Sequence, residues 1–215
     1  MRCKGIWLRQ AAHVSRGMQK LITLKSPEFM GEGWQVQIVQ ESDLPAVQQF
    51  FIANPQYFQK VNGVAPRVDE AWREWHDTPP VAMPYERQIM LGWLNPRGEC
   101  LAIAIVVSEL LAKHVWHIGL FIVAARLHGT SVTHEFYRSL ENWIRNHQAQ
   151  WLRLGVVVGH VQAERFWLKQ GFIETRQRHG LVMGQLVNSV RVMVKPLTDL
   201  PMSVYLEQVP RDRPE

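Results

Sequence analysis

The sequence predicts an α/β (α+β) protein in which one mixed, central sheet of seven strands is flanked by about four helices. The composition is that of an ordinary globular protein, since 47% of the 215 residues are hydrophobic and 20% are charged. Segments with a period of two alternate with segments of helical period through residues 34–197. The run Leu152–Val158 is nearly all apolar, which is typical of a strand buried on both faces. The helix predicted before it supplies the crossover that a parallel pair of strands requires.

The individual elements follow from these periodicities. Trp34, Val36 and Ile38 alternate with two glutamines and predict the first strand. Ser42 or Asp43 then caps a helix. The remaining elements are predicted as a helix at 68–76, a loop at 77–84, a hairpin of strands at 88–94 and 99–107, a strand at 115–123, a helix ending near 147, the strand at 152–158, a short helix ending at Gly171, and strands at 172–178 and 190–195.

The positive charge is concentrated at the front of the chain. The net charge is +5, but six of the 24 basic residues precede Glu28, the first acidic residue, so the rest carries 18 basic against 19 acidic residues. We therefore expect a basic N-terminal extension at 1–33, either poorly ordered or a misassigned start. The main domain is expected at 34–197 and a peripheral C-terminal tail at 198–215. Because the body is neutral, we expect no nucleic-acid partner.

Membrane, disulfide and metal classes are excluded by simple counts. The longest apolar run, Leu101–Val107, is far shorter than the roughly 18–20 residues that a membrane-spanning helix needs. The two cysteines, Cys3 and Cys100, have neither disulfide-scaffold nor zinc-ligand spacing. We therefore expect a cytoplasmic protein with no membrane partner and no metal.

One junction between a strand and a helix is suited to binding an anion. The strand predicted to end near Val123 passes through a short loop into a helix near Ser131, with Gly129 between them. The first turn of a helix presents unpaired N–H groups and partial positive charge, and a glycine lets a phosphate approach the backbone. On spacing alone, a phosphate site and a simple tight turn remain equally good interpretations.

A second segment, at 159–172, makes the interpretation more specific. Taken together, the two segments resemble the motifs of the GCN5-related N-acetyltransferases, the GNAT superfamily. Arg126, Gly129 and Ser131 stand in that family's R/Q-x-x-G-x-G/A loop, which holds the pyrophosphate of acetyl-CoA. The later family pattern N-x-x-A-x-x-F-Y-x-x-x-G-F is matched here by Ala163, Phe166, Gly171 and Phe172, while His160 replaces its asparagine and Trp167 its tyrosine. The resemblance covers nearly the whole chain and implies a GNAT-like sheet whose fourth and fifth strands are parallel and splayed.

The resemblance implies an acetyl-CoA-dependent N-acetyltransferase that transfers an acetyl group directly to a primary amine of a small molecule, peptide or protein. Its partners are then acetyl-CoA, as co-substrate, and an amine acceptor. The cofactor-binding residues that it implies are Phe121, Ile122, Val123, Arg126, Leu127, His128, Gly129, Thr130, Ser131, His160, Ala163, Phe166 and Trp167.

Two interpretations compete with this enzyme. A non-catalytic acyl-CoA-binding sensor or interaction protein on the same fold is favoured by Trp167, which replaces the tyrosine that protonates the leaving thiolate in many relatives. An indole N–H donates a hydrogen bond but is no proton source near neutral pH. A nucleic-acid-binding module rests on residues 1–27 alone and is the weakest of the three.

The sequence does not single out a proton acceptor. His160, at the cleft mouth in such a fold, has an ordinary pKa of about 6.5 that suits proton transfer. The further candidates are His117 and Glu109, and for all three a packing or surface role is the alternative. Candidates for the acceptor wall, against core packing, are the aromatic residues Tyr57, Phe58 and Trp93. The protein is expected as a monomer or as a homodimer formed through an exposed final strand.

Overall fold

A computed structural model describes residues 20–214 and has one open sheet with helices on both faces. The strands, in the spatial order β1-β2-β3-β4-β5-β6-β8-β7, are β1 (Phe29–Gly31), β2 (Trp34–Ile38), β3 (Arg87–Leu94), β4 (Cys100–Ser108), β5 (Val115–Val123), β6 (Trp151–Val157), β7 (Ile173–Met183) and β8 (Leu186–Pro196). The α-helices are α1 (Leu44–Ala53), α2 (Gln56–Asn62), α3 (Glu70–His76), α4 (Ser131–Asn146), α5 (Val161–Lys169) and α6 (Met202–Gln208). Within the described range, no helix combines the length and apolar composition that crossing a membrane requires.

The predicted mixed sheet is confirmed, but the expected seven strands and about four helices become eight and six in the described chain. The additional elements are β1, α2 and α6, which have three or seven residues and are too short for a period to emerge from sequence. Strand β1 falls inside the predicted extension at 1–33, and its Phe29 packs edge-on against Trp93. Of that extension, residues 1–19 lie outside the described residues.

The predicted parallel pair in the middle of the sheet is confirmed. β5 and β6 pair in parallel from Val115 opposite Trp151 to Ile118 opposite Leu154. Beyond these positions the two strands have no paired residues in the described chain, so they separate towards their C-terminal ends. The register of β5 against β4 shifts at the same point and leaves Gly119 as an extra residue. A bulge therefore marks the place where the sheet opens.

The two faces of the sheet carry separate cores. On the face that we call the α4–α5 face, Phe136 and Leu140 of α4 pack against Trp116 and other strand residues. On the opposite α1–α3 face, Val47 and Phe51 of α1 pack with residues of β3, β4 and β5. Alternate residues of a strand point to opposite faces. His117 therefore points to the α1–α3 face, because its neighbour Trp116 packs on the other one.

The prediction of a peripheral C-terminal tail is wrong. α6 and the turn Pro210–Asp212 pack onto the α1–α3 face, where Tyr205 and Asp212 are both 0% exposed. The carboxylate of Asp212 accepts hydrogen bonds from Arg153 Nε at 2.7 Å and Nη2 at 3.1 Å, and from the Tyr205 hydroxyl at 2.6 Å. Arg153 lies 59 positions earlier in the chain, so no local pattern announces this packing.

The final strand is not an edge strand, contrary to the basis of the predicted homodimer. β8 lies between β6 and β7, pairing antiparallel with both. The physical reason is that β8 returns beside β6, which leaves its hairpin partner β7 on the outside. Any dimer built by strand pairing at this end of the sheet would therefore use β7, and the oligomeric state itself stays a prediction.

Candidate active site

A cleft with a volume of about 860 Å³ opens where β5 and β6 separate, a size typical of small-molecule sites. It is formed by β5, the loop before α4, both helices of the α4–α5 face and the start of α2. The predicted cofactor residues that line it are Phe121, Ile122, Val123, His128, Gly129, Thr130, Ser131, His160, Ala163, Phe166 and Trp167. Two others do not line it, since Arg126 is exposed beside the loop and Leu127 packs against the cores of both faces.

The N-terminus of α4 points uncapped into this cleft. Thr130 holds the N-cap position, but its hydroxyl donates to the carbonyl of Leu127 at 2.7 Å, and no side chain caps the first turn within the described chain. Gly129, with φ 77°, has nothing within 4 Å of the position that a Cβ atom would take. The first-turn N–H groups of a 16-residue helix are therefore accessible to an anion at its positive end.

The loop before α4 is held in place by two long-range contacts. The buried Asn54, at the end of α1, accepts a hydrogen bond from the backbone N–H of Ala125 at 2.7 Å and donates to the carbonyl of Phe50 at 2.8 Å. His128 Nε2 lies 2.9 Å from the carbonyl oxygen of Val123, which fixes the end of β5. Asn54 therefore holds the loop in position. The sequence did not indicate this contact, because an Asn-Pro pair is already explained by its role in ending a helix.

Aromatic rings form the wall between β5 and α5. Phe121 lies 6.4 Å from Phe166 and 5.9 Å from Trp167, measured between ring centroids. Trp167 is almost fully buried, and it also packs edge-on against Tyr137. The residue that replaces the family's tyrosine thus contributes apolar surface to the cleft.

Two basic side chains of α5 line the cleft and were missed from the sequence. Arg165 and Lys169 are exposed, four residues apart on one helix face, and face the cleft together with His134 of α4. Spacing of four residues on a predicted helix is the signal that could have found them. They add positive charge beyond the end of α4 and extend the anion-binding character of this side.

His160 is the only predicted proton acceptor, among the described residues, that lines the cleft. It sits immediately before α5, where the side chain of Glu164 accepts a hydrogen bond from the N–H of Gly159 at 2.9 Å. Burial lowers the pKa of His160, the charge of Lys60 lowers it further, and Glu164 opposes both. The imidazole is consequently neutral near pH 7, the form in which a ring nitrogen can accept a proton.

His117 and Glu109 lie outside the cleft. His117 is on the α1–α3 face, with Nδ1 3.4 Å from Arg153 Nη1. Burial, followed by the charge of Arg153, lowers its pKa to about 3, so its imidazole is a weak base. Glu109 follows β4 in a left-handed conformation, φ 54°, and accepts the N–H of His114 at 2.8 Å. Its position beside a separate cavity gives no support to a role in proton transfer at the cleft.

Of the three aromatic residues predicted to form the acceptor wall, one lines the cleft and two lie outside it. Tyr57 lines the cleft, whereas Phe58 and Trp93 are 0% exposed in the two cores. Sequence reasoning missed Glu74 of α3, which acts electrostatically on Tyr57. Burial, and then the charges of Glu74 and Glu70, raise the pKa of the Tyr57 hydroxyl. Burial also raises the pKa of Glu74 to about 7, with Glu70 and Asp77 adding to the shift.

On the α1–α3 face the sheet has an opening that we call the glycine gap. Gly119 of β5 and Gly155 of β6 are exposed although their strands are central and otherwise mostly buried. Above the gap, α2 is fastened to the β7–β8 hairpin, because Gln185 N–H and Asn188 Nδ2 donate to the carbonyls of Asn62 and Val61, each at 2.8 Å. Below it lies the C-terminal tail. The gap thus approaches the splayed strands from the face opposite α4 and α5.

Comparison with solved structures identifies the fold. The ribosomal-protein-S5-alanine acetyltransferase from Vibrio fischeri superposes with a TM-score of 0.61 at 11% identity, covering 80% of this chain and 98% of its own. The spermidine N-acetyltransferase from Vibrio cholerae, in complex with CoA and spermine, gives 0.59 at 11% identity, covering 77% and 96%. A GCN5-related N-acetyltransferase from Kribbella flavida gives 0.56 at 20% identity, covering 77% and 99%.

The chain has the fold of the GCN5-related N-acetyltransferases. No protein-family model matches its sequence, and no curated protein does so either. The likeness at 11–20% identity concerns the fold, and a fold hosts many functions. The activity of this chain therefore has to be argued from its own site.

Proposed function

We propose that the protein is an acetyl-CoA-dependent N-acetyltransferase that acts on a primary amine. The observation that carries this proposal is the uncapped N-terminus of α4, with the open Gly129 before it, facing a cleft at the splayed strands. Such a terminus binds the pyrophosphate through backbone N–H groups. Arg165 and Lys169 supply further positive charge for the nucleotide end.

The acetyl group of the cofactor would lie where β5 separates from β6. From Gly119 to Val123 the side of β5 that faces β6 has no paired residue in the described chain. Backbone N–H groups on that side are free to donate to the thioester carbonyl oxygen, on which negative charge develops during attack. The apolar wall of Phe121, Phe166 and Trp167 keeps water away from the thioester.

The acceptor amine reaches the thioester through the glycine gap, from the α1–α3 face. Gly119 and Gly155 are exposed beside the splayed strands; a Cβ atom at Gly119 would meet only ordinary contacts, and one at Gly155 would lie 3.0 Å from Val190 Cγ1. The amine nitrogen then attacks the acetyl carbon, the C–S bond breaks and CoA leaves as the thiol. Holding both reactants across the opened sheet makes the attack effectively intramolecular, which is a large part of the catalysis.

A proton must leave the attacking nitrogen, and two groups suit this task. His160 lines the cleft with a lowered pKa, so it is neutral and able to accept the proton. Glu74 is matched to neutral pH by its raised pKa of about 7 and lies in the electrostatic neighbourhood of Tyr57 at the cleft. Trp167 donates no proton, so the leaving thiolate takes one from solvent or from the protonated base.

Calorimetric titration with acetyl-CoA tests the cofactor half of the proposal. We expect saturable micromolar binding, similar binding of desulfo-CoA, and weaker binding of adenosine diphosphate, which lacks the pantetheine arm. Absence of binding by a folded sample would overturn the proposal.

Release of free thiol in the presence of amines tests the catalytic half. Steady thiol release that requires both acetyl-CoA and an amine is expected. Tight binding with no thiol release from any amine would favour the acyl-CoA-binding sensor, for which Trp167 is the supporting observation.

A further inference from the structure

Four arginines, Arg153, Arg176, Arg178 and Arg211, meet on the α1–α3 face beside the glycine gap, and Arg176 Nη1 donates to the carbonyl of Arg211 at 3.2 Å. Arg153 of β6 and Arg178 of β7 share one carboxylate, since Arg153 donates twice to Asp212, and Arg178 Nη2 donates to the same residue at 3.3 Å. Arg211 precedes Asp212 in the turn that ends the tail. The carbonyl of Arg211 accepts Arg178 Nη2 at 3.0 Å, so the turn is pinned against β7.

Within the part of the chain that the structure describes, one guanidinium of this cluster, that of Arg211, has no carboxylate paired with it. Among the described residues, Asp212 is the carboxylate that faces Arg153, Arg178 and Arg211, and the guanidinium of Arg211 makes no ion pair. Burial lowers the pKa of Arg211, and repulsion from Arg178, Arg153 and, least, Arg176 lowers it further, against the opposing charge of Asp212. The backbone contacts of Arg211 keep it beside the other arginines, and a guanidinium that has no ion-pair partner among the described residues is suited to binding an anion from outside.

The cluster is within reach of the reaction site. Arg153 pairs with His117 across β5 and β6, and Gly155 follows two residues later on the same strand and face. Two residues of a strand span about 7 Å, so an anion at the arginines is only a short molecule away from an amine at the gap. The neighbouring His117, with its pKa of about 3, stays neutral, so the positive charge beside the gap comes from the arginines.

We propose that Arg178 and Arg211, with Arg153 fixed beside them by Asp212, form an anion-binding subsite of the acceptor site, and that the acceptor is a primary amine that also carries a carboxylate. This inference rests on the proposed N-acetyltransferase function. It narrows the acceptor from any primary amine to a primary amine that has an acidic group nearby. Polyamines are disfavoured, because their second cationic group would face the arginines.

Arg211→Gln is the discriminating variant. In the described chain the Arg211 side chain makes no hydrogen bond or ion pair, so its removal breaks no internal contact and relieves repulsion. A purely structural cluster predicts unchanged kinetics and equal or higher stability. An anion-binding subsite predicts the same stability with weaker use of carboxylate acceptors. Arg213→Gln is the matched control, two residues away and exposed, with its Nε bound to the Leu206 carbonyl.

The acceptors are compared as matched pairs at saturating acetyl-CoA, with thiol release as the readout. Each pair is an amino acid and its carboxamide, or a dipeptide with a free or an amidated C-terminus, and spermidine is added as a cationic amine. The wild type should prefer the carboxylate member of the pairs. Arg211→Gln should raise KM for that member by about 10-fold to 100-fold and leave KM for the amide unchanged, whereas Arg213→Gln should change neither. A preference for amino acids over dipeptides, or the reverse, shows whether the carboxylate belongs to a free amino acid or to the C-terminus of a peptide.

A binding measurement covers the case in which the panel contains no good acceptor. Thermal unfolding is followed with succinate at constant ionic strength, and succinate should raise the melting temperature of wild type and Arg213→Gln but not of Arg211→Gln. Equal use of amides or spermidine, or an equal or absent succinate effect in all three proteins, would overturn the subsite. Acetyl-CoA calorimetry on the same samples separates this failure from failure of the proposed function.

Discussion

The two sides of the splayed strands are built in different ways. On the proposed cofactor side, the residues around the cleft come mainly from two continuous segments, the β5–α4 junction and the segment from His160 through α5. On the acceptor side, the gap is bounded by α2, β5, β6, β7 and the end of the tail, with Arg153 and Asp212 59 positions apart.

This difference teaches why a sequence with no matching family model can still predict one half of the proposed site. A loop that binds phosphate through backbone N–H groups needs one glycine and one helix start, so its requirements are local. A subsite made of side chains from distant elements needs only that the folded chain bring suitable groups together, and their order in the chain is free. The following changes probe each side, from the largest expected effect to the smallest.

Asp212→Asn tests whether the tail is integral to the acceptor side. The variant leaves the buried Arg153 without its anionic partner, which should cost about 3–5 kcal/mol of unfolding free energy, measured by urea denaturation. Asp199→Asn, at an exposed position before α6, should cost almost nothing. A small loss at Asp212 would mean that the tail is dispensable.

The carboxylate of Asp212 should also make the stability of the protein depend on pH in the acid range. Burial opposes the charge of Asp212, but the bonds from Arg153 and Tyr205 hold its pKa below the ordinary value. Its stabilising contribution is therefore complete above the unfolded pKa of about 3.9 and is lost as the pH falls through the lower folded value. Wild-type stability should fall in this acid range, and Asp212→Asn should lose that part of the pH dependence.

Gly129→Asp tests the cofactor side. The new carboxylate would stand where the pyrophosphate binds, so calorimetry should give acetyl-CoA affinity weaker by about 100-fold. Gly180→Asp is the control, because Gly180 also has a left-handed φ of 68° and open space around it but lies on β7. Equal affinity in the two variants would remove the phosphate site.

His160→Gln tests proton transfer between the two sides. Because the pKa of His160 is lowered, kcat/KM of the wild type should stay high near pH 7 and fall as the pH drops through values below the ordinary 6.5. The variant should lose about 100-fold in kcat and also lose this acid limb. If its profile keeps the limb, Glu74→Gln becomes the variant expected to remove it.

Asn54→Ala tests how the loop before α4 is held in position, and its expected effect is the smallest. The change leaves the N–H of Ala125 without its partner, and acetyl-CoA affinity should drop about 10-fold. Asn95→Ala in the β3–β4 turn, where Asn95 also accepts backbone N–H groups, should fold normally and bind acetyl-CoA like the wild type.

Several of the site residues predicted from the sequence lie outside the cleft, and the physical reason is the same for each. Glu109 and His117 have chemistry that suits proton transfer, but a residue type does not encode which cavity its side chain enters. Phe58 and Trp93 were candidates for a ligand wall, and the sheet instead uses them as core. In each case the deciding contacts are made by residues far along the chain.

The sequence by itself determined the order of the main elements, the parallel pair in the middle of the sheet and the glycine-containing helix start that faces the cleft. These depend on hydrophobic period, capping and turn chemistry, which act over a few residues. Only the tertiary structure decided that the tail is buried, that β8 lies inside the sheet, and that Arg153, Arg178 and Arg211 surround one carboxylate beside the glycine gap. Those features arise from packing between distant segments, whose free energy depends on the whole fold.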